Sequence, residues 1–190
     1  MIDLGRGGVH LSSEPGAGRT TLCMNMARKT LENGNSVIWA CMNAPDGSRF
    51  SEIMDGLDNN QIMEMRIIEF GGSLPLIEDI ILENIGQLGS GGLVIIDDWC
   101  EPIGRTRKEV RDSLTKIARL SECGVIATSS AVGNASGSGP PLIARGERSL
   151  AGVLRTVMLL RHPRRESFRI LTDEGEEKLL EMGGSGLSLV

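Results

Sequence analysis

The chain has 190 residues, of which 40% are apolar and 24% are charged, so it can bury a core of its own. Its apolar runs are too short to span a bilayer, and residues 1–10 lack the apolar stretch of a signal peptide. The four cysteines are scattered, which argues against a zinc site or a disulfide framework, and we expect a cytoplasmic protein with reduced thiols. The net charge of −5 disfavours nonspecific nucleic-acid binding by the whole surface.

The first predicted elements are a strand, a glycine-rich loop and a helix. Residues 9–12 are a short strand candidate that leads directly into the loop. Residues 20–33 place apolar side chains on one face at helical spacing, and Asn33-Gly34-Asn35 ends this helix because glycine readily adopts the left-handed conformation. The apolar run 37–41 is typical of a strand that is buried on both faces.

Alternating helices and strands follow. Ser48 is expected to cap a short helix that ends near Leu57. Residues 62–70 are predicted to form a strand, although their apolar spacing also fits a short helix. Two more amphipathic helices and two more buried strands are predicted in alternation, at 76–88, 93–96, 106–122 and 124–128.

The C-terminal third begins with a segment rich in small and helix-breaking residues, 131–141, which predicts a mobile loop. Residues 156–160 and 168–172 then read as an antiparallel strand pair. The whole order predicts an α/β fold with a mainly parallel central sheet, flanking helices and this C-terminal antiparallel pair. Since no repeat or linker is evident, we expect one domain over 1–190.

The glycine-rich loop is the most informative segment. Phosphate-binding loops follow the pattern G-x-x-x-x-G-K-[ST], and this chain has S-x-x-x-x-G-R-T. Two glycines allow backbone N–H groups to point inward, and the helix N-terminus adds a favourable dipole for phosphate. The alternative is a chance glycine-rich turn. The residues predicted to bind nucleotide are Ser13, Glu14, Pro15, Gly16, Ala17, Gly18, Arg19, Thr20 and Thr21.

A second segment strengthens the nucleotide hypothesis. Four apolar residues, 93–96, precede Asp97-Asp98, which is the pattern of a Walker B strand. An aspartate at the carboxyl end of a buried strand can hold Mg²⁺ beside the loop hydroxyl of Thr20. The alternative is an ordinary strand that ends in a solvated acidic turn. The two segments in this order predict ATP and Mg²⁺ as cofactors, with Thr20 and Asp97 at the metal.

With these two segments, residues 4–171 resemble the ATPase core shared by RecA, archaeal RadA and RadB, and KaiC-type proteins. The resemblance implies a RecA-like fold. It also places Thr128-Ser129-Ser130 where recombinases have a Thr-Asn-Gln-like run, so that Ser130 takes the position that senses the γ-phosphate. The loop 131–141 corresponds to the segment that contacts single-stranded DNA in those recombinases, and residues 155–161 resemble the arginine-flanked strand that follows it.

The departures from this family pattern predict weak or absent ATPase activity. The family has a catalytic glutamate just after the second strand, whereas Asn43 or Ala44 occupies that position here. Asparagine can orient a water molecule but cannot accept its proton, and Pro45 directs the chain away before the nearest carboxylate, Asp46. We therefore assign no catalytic residue.

The loop itself departs from the pattern at two positions. Arg19 replaces the lysine that reaches the β- and γ-phosphates, and its planar guanidinium cannot reproduce the lysine point charge. Ser13 replaces the first glycine and restricts the backbone.

Assembly is also expected to differ from that of a recombinase. The sequence has no F-x-x-A motif, and the resemblance begins almost at the first strand, so we expect no N-terminal DNA-binding domain. An accessory paralogue therefore fits better than an autonomous strand-exchange enzyme. Its expected partner is a recombinase or a repair factor, no membrane is expected to be involved, and homo-oligomers remain open.

Positive charge is concentrated near the C-terminal end of the chain. Residues 140–170 contain seven arginines and two glutamates. This suggests a basic surface for single-stranded DNA, formed by the loop 131–141 with Arg145, Arg148, Arg161, Arg164 and Arg165. Such contacts would be mainly electrostatic, since the chain has three Phe and no Tyr for base stacking. The alternative is a set of solvated arginines around a strand pair.

Three functional hypotheses remain open from the sequence. The first is a nucleotide-binding RecA/RadA-like accessory protein in DNA recombination or repair with little ATPase activity. The second is an active ATPase that is completed by oligomerisation, in which a neighbouring subunit supplies Arg161 or Arg164. The third is a KaiC-like regulatory scaffold that no longer needs nucleotide.

Overall fold

One large β-sheet organises the chain in the computed structural model, which describes residues 2–136 and 138–190. Ten strands are found within these residues, and nine of them follow the order β10-β9-β8-β7-β1-β5-β4-β2-β3, with β6 paired to β5. The strands are β1 Val9–Ser13, β2 Val37–Cys41, β3 Met65–Glu69, β4 Leu93–Asp97, β5 Gly124–Gly133, β6 Leu142–Ala144, β7 Arg155–Arg161, β8 Phe168–Asp173, β9 Glu176–Gly183 and β10 Gly186–Leu189.

The sheet has a parallel part and an antiparallel part. Strands β7, β1, β5, β4, β2 and β3 run parallel to one another, whereas β8, β9 and β10 are added antiparallel beyond β7. This arrangement confirms the predicted fold class. The carboxyl ends of the parallel strands therefore meet at one edge of the sheet, which is where ligands bind in folds of this kind.

Helices cover both faces of the sheet. They are α1 Arg19–Glu32, α2 Gly47–Met54, α3 Asn59–Met63, α4 Glu78–Leu88, α5 Lys108–Leu120 and α6 Glu147–Leu150. Alternate residues of the central strands enter two separate apolar clusters: Trp39 packs with the α1 side, and Ile38 and Ala40 pack with the α4 and α5 side. Burial on both faces explains the uninterrupted apolar runs of these strands. None of the described helices is both long and apolar enough to cross a membrane.

One local prediction was wrong and another was too long, and carboxylates that cap helices explain both. Asp46, and not Ser48, caps α2 by accepting a hydrogen bond from the Arg49 amide at 2.8 Å. The predicted strand 62–70 is divided into α3 and the shorter β3. A reciprocal capping box between Asp58 and Gln61 starts α3 and draws the first residues of that segment into a helix.

Three further predictions were incomplete. The segment 131–141 is not wholly a loop, since β5 continues to Gly133 and pairs with β6 at Leu142–Ala144, while Gly137 lies outside the described residues. The predicted closing pair is present as β7 and β8, but β9 and β10 extend it. The predicted helix 76–88 begins as the 3-10 turn Leu74–Ile77 and becomes α4 at Glu78.

Candidate nucleotide-binding site

The glycine-rich loop joins the buried strand β1 to the first turn of α1. Gly16 and Gly18 adopt φ angles of 72° and 95°, which ordinary side chains rarely adopt, so the loop needs both glycines. Gly18 is the N-cap of α1 and provides no side-chain cap within the described structure. The first turn also contains no acidic residue. The backbone N–H groups of this turn are therefore well suited to an anion.

Two arginines, Arg161 on β7 and Arg169 on β8, hold the outer face of the loop; we refer to them as the loop brace. Nη2 of Arg161 donates to the Pro15 carbonyl at 3.0 Å, and Nε of Arg169 donates to the Ala17 carbonyl at 2.7 Å. The Glu14 side chain in turn accepts a hydrogen bond from the Arg161 amide. By binding the carbonyl groups from outside, the brace fixes the peptide orientation of the loop.

Thr20 and Asp97 meet on the opposite side of the loop, as the sequence predicts. The Thr20 hydroxyl donates to Oδ2 of Asp97 at 3.1 Å, and the Thr128 hydroxyl donates to Oδ1 at 2.6 Å. Asp97 is buried at the carboxyl end of β4. A hydroxyl beside a carboxylate is a donor set that suits Mg²⁺, which is usually bound by one or two carboxylates together with phosphates and water. Thr20 and Asp97 therefore fit this ion.

Arg19 points toward Asp97 and the next residue, Asp98. Its Nη2 forms an ion pair with Oδ1 of Asp98, Nη1 donates to the Ser130 hydroxyl at 3.4 Å, and Nε lies 4.0 Å from Oδ1 of Asp97. The Arg19 side chain is 12% exposed, and Nε is buried without a hydrogen-bond partner among residues 2–136 and 138–190. The Nε–H of Arg19 is thus an unsatisfied donor that faces the acidic pair.

Asp98 holds an unusual backbone conformation that aims its side chain at Arg19. Its φ angle is 57°, and its amide donates to the Thr128 hydroxyl at 2.9 Å. Burial raises the pKa of the Asp98 carboxyl above its usual value, and the neighbouring Arg19 opposes this rise. The ion pair with Arg19 therefore offsets part of the cost of burying the ionised Asp98 carboxylate.

A buried polar cluster that sequence reasoning missed lies behind Asp98. The indole N–H of Trp99 donates to Nε2 of His10 at 3.3 Å, and the Ser129 hydroxyl lies 2.8 Å from the same nitrogen. The indole N–H can only donate, so Nε2 accepts from it, while Nδ1 is buried without a hydrogen-bond partner among the described residues. Burial lowers the pKa of His10 to about 4, with a smaller contribution from Arg19. Strand alternation was the available signal, because it places His10 and Ser12 on one face of β1.

The structure separates other residues that the sequence grouped. Asn43 is exposed in the segment after β2, and the side chain of Asp46 is used as a helix cap. Ser13 is buried at the end of β1, opposite Ser130 of β5. Thr21 is half-buried in the first turn of α1.

The predicted basic surface is divided into two cavities. Arg145 and Arg148 line a groove of about 780 Å³ together with Ser136 and Ser138 of the loop after β5. The other predicted arginines line a separate cavity of about 470 Å³ beside Gly16, which also includes Arg169: Arg161, Arg164 and Arg165. Both cavities include segments that follow the carboxyl ends of parallel strands, β5 for the groove and β7 for the second cavity.

The sheet order, the braced loop and the Thr20–Asp97 contact define the class of protein by its fold, which is RecA/RadA-like. No family model matches the chain. The DNA repair and recombination protein RadB of Methanococcus maripaludis is 27% identical over 199 residues, covering 93% of this chain and 88% of that protein.

Solved structures share the fold at 15% identity. A RadB recombinase superimposes with a TM-score of 0.71 over 97% of this chain and 90% of that chain. A KaiC-like protein from Pyrococcus horikoshii gives 0.68 over 97% and 89%. A DnaB-like replicative helicase gives 0.67 over 96% of this chain and 57% of the longer one.

Proposed function

We propose that the protein is a nucleotide-binding RecA/RadA-like accessory protein that acts in DNA recombination or repair and hydrolyses ATP slowly or not at all. The observation that carries the proposal is the geometry of the loop 13–21. Its two glycines have positive φ, its carbonyl groups are held from outside by Arg161 and Arg169, and Thr20 contacts Asp97. This leaves the inner face of the loop for the phosphates of a nucleotide.

In this site each residue has a defined task. Gly16 and Gly18 shape the loop, Arg19 binds phosphate, and Ser130 lies within reach of Arg19 to respond to the γ-phosphate. Thr20 and Asp97 would hold Mg²⁺, which shields phosphate charge when it is bound.

Slow turnover follows from the groups that face the expected position of the attacking water. The segment after β2 offers Asn43, an exposed amide that accepts no proton near neutral pH. Asp46 is the nearest carboxylate in sequence, and its side chain caps α2. Arg161 is engaged with Pro15 of its own chain, which disfavours its use as a catalytic arginine in a neighbouring subunit.

A role in recombination or repair is supported by the relationship to RadB, which is described as a DNA repair and recombination protein. The proposed partner is a recombinase or another repair factor. The groove at Arg145 and Arg148 offers positive charge and serine hydroxyls to single-stranded DNA. A surface of this kind binds electrostatically, so its affinity should fall steeply with salt.

The test is a titration of the pure protein with labelled ATP and Mg²⁺, with and without single-stranded DNA, in which both binding and phosphate release are followed. We expect saturable binding and negligible phosphate release in both conditions. Arg19→Ala should weaken binding, while Arg119→Ala, an exposed arginine on α5, serves as the matched control. Rapid phosphate release would contradict the slow-turnover claim, and the absence of saturable binding would contradict the whole proposal.

A further inference from the structure

Arg19 combines two features that distinguish it from the lysine of the usual loop pattern. Its guanidinium is already attached to the acidic side of the site, through Asp98 and Ser130. At the same time its buried Nε lacks a partner among the described residues. The nearest carboxylate oxygen, Oδ1 of Asp97, lies 4.0 Å from Nε, so the guanidinium keeps hydrogen-bonding capacity that the described residues do not use.

The shape of the guanidinium allows both contacts together. Arginine has five N–H donors in a rigid plane, and the ion pair with Asp98 and the contact with Ser130 use one donor on each terminal nitrogen. Of the three N–H groups that remain, Nε is buried, and the second N–H on each terminal nitrogen is left for phosphate oxygens. A lysine ammonium has three donors at a single point, so it could not remain on Asp98 while reaching along a triphosphate.

The same arrangement places a permanent positive charge where a metal ion would act. Nε of Arg19 lies 4.0 Å from Oδ1 of Asp97, the carboxylate that would hold Mg²⁺ together with Thr20. The guanidinium neutralises part of the charge of the Asp97–Asp98 pair. The acidic pair therefore has less need of a cation than a pair without arginine.

We propose that the Arg19 guanidinium takes over the charge-neutralising role of the divalent cation, so that the protein binds nucleoside triphosphates almost as tightly without Mg²⁺ as with it. This inference rests on the proposed function, since it concerns the same nucleotide site. It assigns Arg19 as the residue that determines metal dependence, with Asp98 as the anchor that holds the guanidinium in place.

The experiment measures the dissociation constant of a fluorescent ATP analogue for the full chain, once in excess EDTA and once in excess Mg²⁺. We expect the two constants to agree within about threefold, because a positive charge is already fixed beside the phosphates. Arg19→Lys should separate the two constants by about tenfold or more, with the weaker binding in EDTA, because lysine cannot retain the contact to Asp98.

Arg19→Gln provides a second variant that keeps a polar side chain but removes the charge, and it should likewise bind only weakly in EDTA. Arg119→Lys on α5 is the matched control and should behave as the wild type, since that side chain is exposed away from the loop. Circular dichroism melts identify which variants are folded, and either folded variant is sufficient for the comparison.

The possible outcomes distinguish a failure of the inference from a failure of the proposed function. Wild-type binding that requires Mg²⁺ overturns the inference and leaves the proposed function intact. A folded Arg19→Lys or Arg19→Gln that binds equally in both buffers also overturns it, because Arg19 would then not be the cause. If the wild type binds no nucleotide in either buffer, the proposed function is wrong and the inference is overturned together with it.

Discussion

The two sides of the nucleotide loop differ in the groups that they present. The side formed by β4 and β5 presents two carboxylates and neutral hydroxyls, while the side formed by β7 and β8 presents the loop brace. Both sides contact the same loop, but the first contacts the side chains of Arg19 and Thr20 and the second contacts backbone carbonyls. The comparison indicates that the charge of the site and the shape of its loop are controlled from opposite sides.

Acidification should act most strongly on the side of β4 and β5, through His10 of β1, whose ring contacts Trp99 and Ser129. Its folded-state pKa of about 4 lies below the ordinary value of 6.5, so the unfolded chain takes up a proton in this window while the folded chain does not. Stability is therefore lost as pH falls from 6.5 to about 4 and levels off below that. The loss from this group is about 3 kcal/mol, at 1.36 kcal/mol for each pKa unit.

Urea denaturation at pH values between 7 and 4 measures this effect. His10→Gln should flatten the stability profile relative to the wild type, and His162→Gln, which changes the other histidine of the chain, should not. Equal profiles for His10→Gln and the wild type would show that the buried cluster does not control the acid response.

Replacing Arg169, the buried arginine of the loop brace, tests whether the side formed by β7 and β8 sets the loop shape. Arg169→Met removes a hydrogen bond to the Ala17 carbonyl and two more to Glu166 and Phe168 while keeping similar bulk. Hydrogen bonds that involve a charged group contribute about 1.5–3 kcal/mol, so nucleotide affinity should fall by about tenfold or more. The labelled-ATP titration measures this, with Arg119→Met on α5 as the exposed control; an unchanged affinity of Arg169→Met would mean that the loop keeps its shape without the brace.

The smallest expected effect concerns the attachment of the C-terminal hairpin to α1. Asn25 donates to the Ser185 carbonyl and accepts from the Leu187 amide, each at 2.8 Å. Asn25→Ala should cost about 1 kcal/mol of unfolding free energy, and hydrogen exchange in β10 should accelerate. Asn43→Ala is the exposed control; if both variants leave β10 equally protected, packing alone holds the hairpin.

The sequence predicted those parts of the site that depend on local patterns. The loop, the strand before it and Asp97 after an apolar run are short segments with strong signals. The brace could not be predicted, because Arg161 and Arg169 contact the loop only after β7 has paired with β1. No local sequence pattern indicates that these two distant strands pair.

Strands β9 and β10 were missed although signals existed. Glu174 and Gly175 both have positive φ, as in the tight turns that favour glycine at the second position, and they connect β8 to β9. The sequence of β9 shows no clear alternation, because most of its side chains, including its three glutamates, are exposed or half-buried and Leu180 is the one buried residue of the strand. The capping box at Asp58 and Gln61 was likewise readable from its spacing.

The brace also bears on when the site can exist during synthesis of the chain. Arg169 and Ala17 are separated by 152 residues, so this contact forms only after the chain has left the ribosome as far as Arg169. Contacts of such sequence separation form slowly, since a long loop must close first. A nascent chain that contains both Walker segments therefore still lacks a finished nucleotide loop, and a fragment that ends before β8 should be unable to retain nucleotide.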